Sequence, residues 1–306
     1  MPAAGGERTW LRVTVQCPPD AADAVIVALL PLSPNGVTTD EAATVSVTAW
    51  LGPYTVPPDA DEAEQTVRER LAAIPDDLLP ARSAVEVVAV PEKDWIEVFR
   101  AQHRPVRIGR VVIKPTWERW PSPALDARAD DIMIEIDPGL AFGTGLHPTT
   151  AGCVRELQDR LRRGARVIDL GCGSGLLAIV AVKLGAREAL AIDFDPLAAE
   201  VARANVAANA VDERVTVRVG DGLAGVGTGW DVVLANINPP TIVREAPAAL
   251  AALGPDGAYI CAGIPLSREA EVLEALRAVG FAGIVPRIEG EWVGFICVAP
   301  GEGGGR

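Results

Sequence analysis

From residue 165 onward the chain alternates short apolar runs with amphipathic stretches, and that alternation limits the fold more than any other feature. "ARVIDL", "ALAID", "RVTVRV", "DVVLAN" and "GAYICAG" are strand-length runs dominated by Val, Ile, Leu and Ala. Helical stretches such as "LLAIVAVKLGA" and "PLAAEVARANVAANA" stand between the first three. Strands separated by crossover helices pair in parallel, and the helices cover both faces of the sheet. "AGIVPRIEG" and "EWVGFICVA" then read as a closing antiparallel pair. Seven strands with that ending differ from a dehydrogenase sheet.

Between the first of these strands and its helix stands "GCGSG", with Gly171, Gly173 and Gly175. Asp193 follows 22 positions after Gly171, at the tip of the next strand. Glycines at a strand-to-helix turn let backbone approach a nucleoside, and a carboxylate at the neighbouring strand end can accept both ribose hydroxyls. The spacing is GxGxG and not GxGxxG, which counts against a dinucleotide seated by its pyrophosphate and favours S-adenosylmethionine. Asp221 in "VGDGL" is placed to meet an adenine edge or to serve as an ordinary turn aspartate. Asn236 ends the fourth strand in "LANINPP", at the carboxyl side of the sheet, where open α/β folds bind ligands. The Asn-Pro-Pro-aromatic motif of amide and adenine methyltransferases is not present in register. Asn236 precedes Ile237, and Asn238-Pro239-Pro240 comes two positions late with Thr241 behind it.

The first 90 residues follow another pattern. Leu11, Val13 and Val15 alternate with polar residues, as in a half-buried strand. Asp20 is placed to cap a helix carrying Val25, Ile26, Leu29 and Leu30 on one face. "PNG" turns the chain into a short strand around Val37, and Val45, Val47 and Ala49 mark the next. A helix with Val67, Leu71 and Ile74 and a strand ending at Val90 complete a strand-helix-strand-strand-helix-strand order, that of a ferredoxin-like sandwich. No residue there demands catalysis, so the segment reads as a binding module. Residues 91–137 read as a connector holding a short helix with Trp95 and Phe99 four apart, then the strands "RIGRVVIKPTW" and "DIMIEID".

Bulk properties exclude several classes. With 41 acidic against 28 basic side chains the net charge is −13, which opposes a nucleic-acid surface and favours encounter with a basic partner. Five cysteines without a CxxC pair suggest neither a disulfide framework nor a zinc site, in keeping with a reducing cytoplasm. No window reaches the roughly 20 apolar residues of a membrane span. The expectation is a monomer of the cytoplasm.

"DPGLAFGTGLHPTT", Asp137 to Thr150, is too rich in Gly and Pro for a helix or central strand and reads as an ordered loop ending at a helix N-terminus. Together with "VIDLGCGSGLLAIVAVKLGA", "AIDFDPLA" and "ANI", it makes nearly the whole chain resemble the PrmA family, bacterial methyltransferases of large-subunit ribosomal protein L11. The resemblance implies a class I, Rossmann-like methyltransferase domain over residues 138–306, preceded by a ferredoxin-like substrate-recognition domain over 1–90. It implies trimethylation of lysine side chains and of the N-terminal amine of L11, with S-adenosylmethionine held at Thr150, Gly171, Asp193 and Asn236. Phe142, Gly143, Thr144 and Gly145 would wall the methionine part. The family usually continues Asn-Ile-Leu where this chain has "NINPP", and Leu146 replaces a frequent Thr.

An attacking lysine amine, with an ordinary pKa of about 10.4, must lose its proton first. Asn236 and the backbone carbonyl of Ile237 are the candidate acceptors orienting it. His147 is open to a catalytic reading, but a His before Pro in a tight loop is more often a hydrogen-bonded structural residue. Two other classes use the same cofactor motifs: a methyltransferase with a different protein or small-molecule acceptor, and a non-catalytic cofactor-binding assembly protein.

Overall fold

The computed structural model describes residues 9–33, 37–40, 44–51, 60–75, 78–79, 83–91, 104–122, 125–137 and 147–301. The "PNG" turn, the helix expected around Trp95 and Phe99, and residues 138–146 of the Gly-rich loop lie outside them. The chain divides into two compact units, residues 1–102 and 103–306.

The first unit contains β1 (Thr9–Cys17), α1 (Ala22–Leu29), β2 (Val37–Asp40), β3 (Val45–Leu51), α2 (Ala60–Leu71) and β4 (Val85–Pro91). Its sheet is antiparallel in the order β2-β3-β1-β4, the ferredoxin-like arrangement. The period-two rows Leu11, Val13, Val15 and Val45, Val47, Ala49 share one core with Val25 and Leu29 of α1 and Val67 and Leu71 of α2. Two local expectations are corrected. Asp20 lies inside a 3-10 turn, Pro19–Ala21, and the residue preceding α1 is Ala21, which makes no side-chain cap. Leu30 is 46% exposed, while Leu32 is buried in its stead. Pro31 accounts for this: it cannot continue an α-helix and constrains the residue before it, so the chain tightens into the 3-10 turn Leu30–Leu32.

The second unit opens with β5 (Val106–Ile108), β6 (Val111–Pro115) and β7 (Ile132–Ile136), a three-stranded sheet of their own. Within the stretch expected to connect the domains, these strands pack into the second unit. Ile108, Val111, Ile113, Ile134 and Ile136 share its core with the helices α3 (Pro148–Arg160), α4 (Leu176–Leu184) and α5 (Pro196–Ala208).

The main sheet consists of β8 (Arg166–Leu170), β9 (Glu188–Asp193), β10 (Val215–Val219), β11 (Trp230–Asn236), β12 (Leu253–Pro265), β13 (Gly283–Glu289) and β14 (Trp292–Val298). Their order is β10-β9-β8-β11-β12-β14-β13. The first five positions are parallel, and β14 runs antiparallel to both neighbours. Helices α6 (Pro239–Ala252) and α7 (Glu269–Val279) cover the face opposite α3, α4 and α5. Along β11, Val232 and Leu234 enter one core while Val233 and Ala235 enter the other, which is why this strand is apolar at every position from 232 to 235. The chain leaves β8 first toward β9 and later returns to its other side as β11, so the carboxyl ends of β8 and β11 flank a topological switch point.

Candidate functional site

At that switch point Gly171, Gly173 and Gly175 all take positive φ, a backbone conformation that side chains disfavour. The amides of Gly171 and Cys172 both donate to the Ile192 carbonyl, at 2.8 and 3.0 Å, lashing the turn to β9. Gly171 has φ +68°, and a Cβ there would stand 2.3 Å from Ile237 Cγ2, so both backbone geometry and the neighbour require glycine. Gly175 precedes α4 as its cap and has no side chain to satisfy the first-turn amides. Asp169, inside β8, does so: its Oδ2 accepts the Ala178 amide at 3.0 Å. Burial pushes the Asp169 carboxyl up to about 7; the Ala178 hydrogen bond opposes this and nearby Asp193 adds to it.

Asp193 ends β9 at 8% exposure. Its Oδ2 accepts the Gly173 amide at 2.8 Å and its Oδ1 the Asp195 amide at 3.0 Å. Each carboxylate oxygen keeps accepting capacity, so the group can hold a vicinal diol while the backbone fixes its orientation. Its own carbonyl accepts the Gly220 amide at 2.8 Å, bringing the turn after β10 alongside. Asp221 in that turn lies on the surface, with Oδ1 accepting from Arg244 Nη2 at 2.7 Å.

On the other side of β8, Asn236 Nδ2 donates to Thr150 Oγ1 at 3.1 Å, joining the end of β11 to the first turn of α3. Thr150 is 2% exposed. The Ile237 amide donates to the Ala262 carbonyl at 3.2 Å. Its carbonyl faces Gly263, φ +88°, where a Cβ would come within 2.5 Å of the oxygen. Thr150, Asn236, Ile237, Gly171, Gly173, Asp193 and Asp221 therefore form one continuous arc across the strand ends. Phe142, Gly143 and Thr144 fall in the undescribed part of the loop.

His147 is a helix cap. Its Nδ1 accepts the Thr149 amide at 3.3 Å and lies 2.7 Å from Thr149 Oγ1, and its ring meets Trp292 edge-on at 4.9 Å. Burial lowers its pKa, favouring the neutral ring that can accept. Asn238 has the same kind of role for α6: its Oδ1 accepts the Thr241 amide at 3.0 Å, with the two prolines filling the first helical positions. "NPP" in this chain is a helix start.

Three site-supporting residues escaped the sequence reading. Besides Asp169, Asn205 donates to the Ser174 carbonyl at 2.9 Å and accepts the Asp137 amide at 3.0 Å, bridging the glycine turn and the end of β7. Asn209, one helical turn on, accepts the Glu135 amide at 2.9 Å. Two asparagines four apart within an otherwise Ala/Val-rich helix were the available signal, since buried amides must find partners.

The donor set suits S-adenosylmethionine. Asp193 and the glycine turn can take an adenosine. The amides of Ala178 and Ile179 at the start of α4 are already bonded, to Asp169 and to the Gly175 carbonyl, and an acid beneath them opposes a pyrophosphate. Sheet order, switch-point site and donor set together define a class I S-adenosylmethionine-dependent methyltransferase. The chain matches "Ribosomal protein L11 methyltransferase (PrmA)" over residues 9–299 and belongs to that family.

Among its relatives, the ribosomal protein L11 methyltransferase of Pelotomaculum thermopropionicum is 38% identical over 305 residues, covering 93% of this chain and 97% of that one. That of Heliobacterium modesticaldum is 41% identical over 243 residues, covering 76% and 75%. A crystal structure of a ribosomal protein L11 methylase from Lactobacillus delbrueckii subsp. bulgaricus aligns with a TM-score of 0.59 at 28% identity, covering 65% of this chain and 98% of that one.

Proposed function

We propose that the protein transfers methyl groups from S-adenosylmethionine to ribosomal protein L11, on lysine side chains and on the N-terminal amine, up to the trimethylated state. The Asn236–Thr150 hydrogen bond beside the glycine turn carries the mechanistic reading. The cofactor, when bound, supplies a methyl group on a sulfonium, and the chain's task is to align an amine with it. Gly171 and Gly173 admit the nucleoside, Asp193 holds the ribose, Asp221 meets the adenine edge, and Thr150 bounds the methionine part. The bond to Thr150 uses the Asn236 amide nitrogen and so presents its Oδ1 to an incoming amine. Gly263, lacking a Cβ, keeps the approach to the Ile237 carbonyl open. Two fixed acceptors orient the neutral amine and take part of the charge it develops on attack.

The ferredoxin-like unit recognises the protein substrate, and the net charge of −13 favours a basic partner. Among the described residues no helix is long and apolar enough to cross a membrane. Action in the cytoplasm, as a monomer and without a nucleic-acid contact, completes the proposal. Mass spectrometry of mixed ribosomal proteins incubated with the protein and S-adenosylmethionine tests it. Gains in steps of one methyl group on L11 alone are expected, and transfer exclusively to another protein overturns the assigned acceptor.

A further inference from the structure

Glu245 lies midway along α6, 8% exposed, with no part in the arc described above. Its Oε2 accepts the Leu223 amide at 3.0 Å, and its Oε1 accepts from Arg244 Nε at 2.9 Å. Arg244 in turn extends Nη2 to Asp221 Oδ1 at 2.7 Å. Between those two anchored residues Gly222 has φ +77°, and a Cβ there would stand 2.6 and 2.7 Å from the two Glu245 carboxylate oxygens. The turn is thus wrapped onto a single carboxylate from below. At its start, the Gly220 amide is tied to the Asp193 carbonyl, so residues 220–223 are held at both ends.

The Arg244–Asp221 pair does little for the fold, because its side chains are 54% and 74% exposed and pairs of that kind contribute little in water. What it does supply is the hydrogen bond from Arg244 to the Asp221 side chain, while Arg244 itself is held by Glu245. Building on the cofactor site proposed above, we infer that Arg244 and Glu245 are positioning residues that aim Asp221 at the exocyclic amine of the adenine ring. A carboxylate only accepts hydrogen bonds, so a held Asp221 favours a 6-amino purine and repels the carbonyl of a 6-oxo purine. α6 begins at the Asn238 cap, two residues after Asn236, and so one helix carries the clamp on the purine end and starts beside the acceptor end.

The test compares binding of S-adenosylhomocysteine and its 6-oxo counterpart, S-inosylhomocysteine, to the full-length protein by calorimetry. The unaltered protein is expected to prefer the amino compound by about tenfold or more, the equivalent of one charge-assisted hydrogen bond. Arg244→Ala and Glu245→Gln should each cut that preference several-fold, and Arg244→Lys should restore part of it. Arg244→Ala is expected to leave the melting temperature nearly unchanged, which separates aiming from a structural role. An unchanged preference in both Arg244→Ala and Glu245→Gln overturns the inference. Equal affinity of the unaltered protein for both compounds overturns it through Asp221, and failure to bind S-adenosylhomocysteine at all overturns the cofactor site beneath it.

Discussion

Replacing Asp169 by Asn should change the dependence of stability on pH more than stability itself. In the folded protein, burial raises this carboxyl from an ordinary 3.8 to about 7. Between those values the native state holds one proton more than the unfolded chain, so the stability contributed by this group falls as pH rises and levels off above the folded pKa. The shift of about 3 units corresponds to about 4 kcal/mol in all, of which about 3 kcal/mol falls between roughly pH 5 and pH 8.

An asparagine side chain at this position is isosteric with the aspartate, keeps an oxygen for the Ala178 amide, and does not titrate. Urea denaturation of both proteins across this range, taken as a difference at each pH, cancels other titrating groups, His147 included. The native protein's advantage over Asp169→Asn should shrink by about 3 kcal/mol from acid to alkaline pH. A difference constant to within about 0.5 kcal/mol would refute the reasoning, because it would mean the carboxylate stays ionised throughout, with the Ala178 hydrogen bond outweighing burial.

Gly171→Ala places a Cβ 2.3 Å from Ile237 Cγ2 in a left-handed conformation. Backbone strain of roughly 1–2 kcal/mol together with displacement of Ile237 should weaken S-adenosylmethionine binding by about tenfold or more, read by calorimetry. His147→Ala removes the α3 cap and should cost about 1 kcal/mol at neutral pH, with His147→Asn recovering much of it in thermal melts. Because burial depresses the His147 pKa, the stability this residue contributes should fall as pH drops below about 6.5, where the unfolded ring gains a proton the folded ring resists. Asn236→Ala should lower kcat about a hundredfold or more, with a smaller change in cofactor affinity; unaltered turnover on L11 would exclude Asn236 as an orienting acceptor.

The methyltransferase sheet was readable because its information is local and periodic. Strand-length apolar runs, the glycines of "GCGSG" and the acid at Asp193 each occupy a few consecutive positions, and their spacing conveys the chemistry. The order β2-β3-β1-β4 of the first unit likewise follows from the strand-helix rhythm and the period-two rows of Leu11, Val13 and Val15. At the ends of elements the reading was weaker, as at Asp20 and Leu30, where capping and a following proline compete over one or two residues.

The sequence by itself determined which stretches are strands and helices, where the glycine turn and the acid at the next strand end lie, and that "NINPP" is out of register for the Asn-Pro-Pro-aromatic motif. Tertiary structure alone decided that β5, β6 and β7 pack with the second unit, since nothing local in an apolar strand says which core buries it. It alone decided that Asp169 caps α4 nine residues away and that Asn205 spans two loops. It settled His147 as a cap, and it gathered Asp221, Arg244 and Glu245 into one clamp. A buried polar group must be satisfied by whatever the fold brings near it, and that neighbour is set by how distant segments pack and not by spacing along the chain.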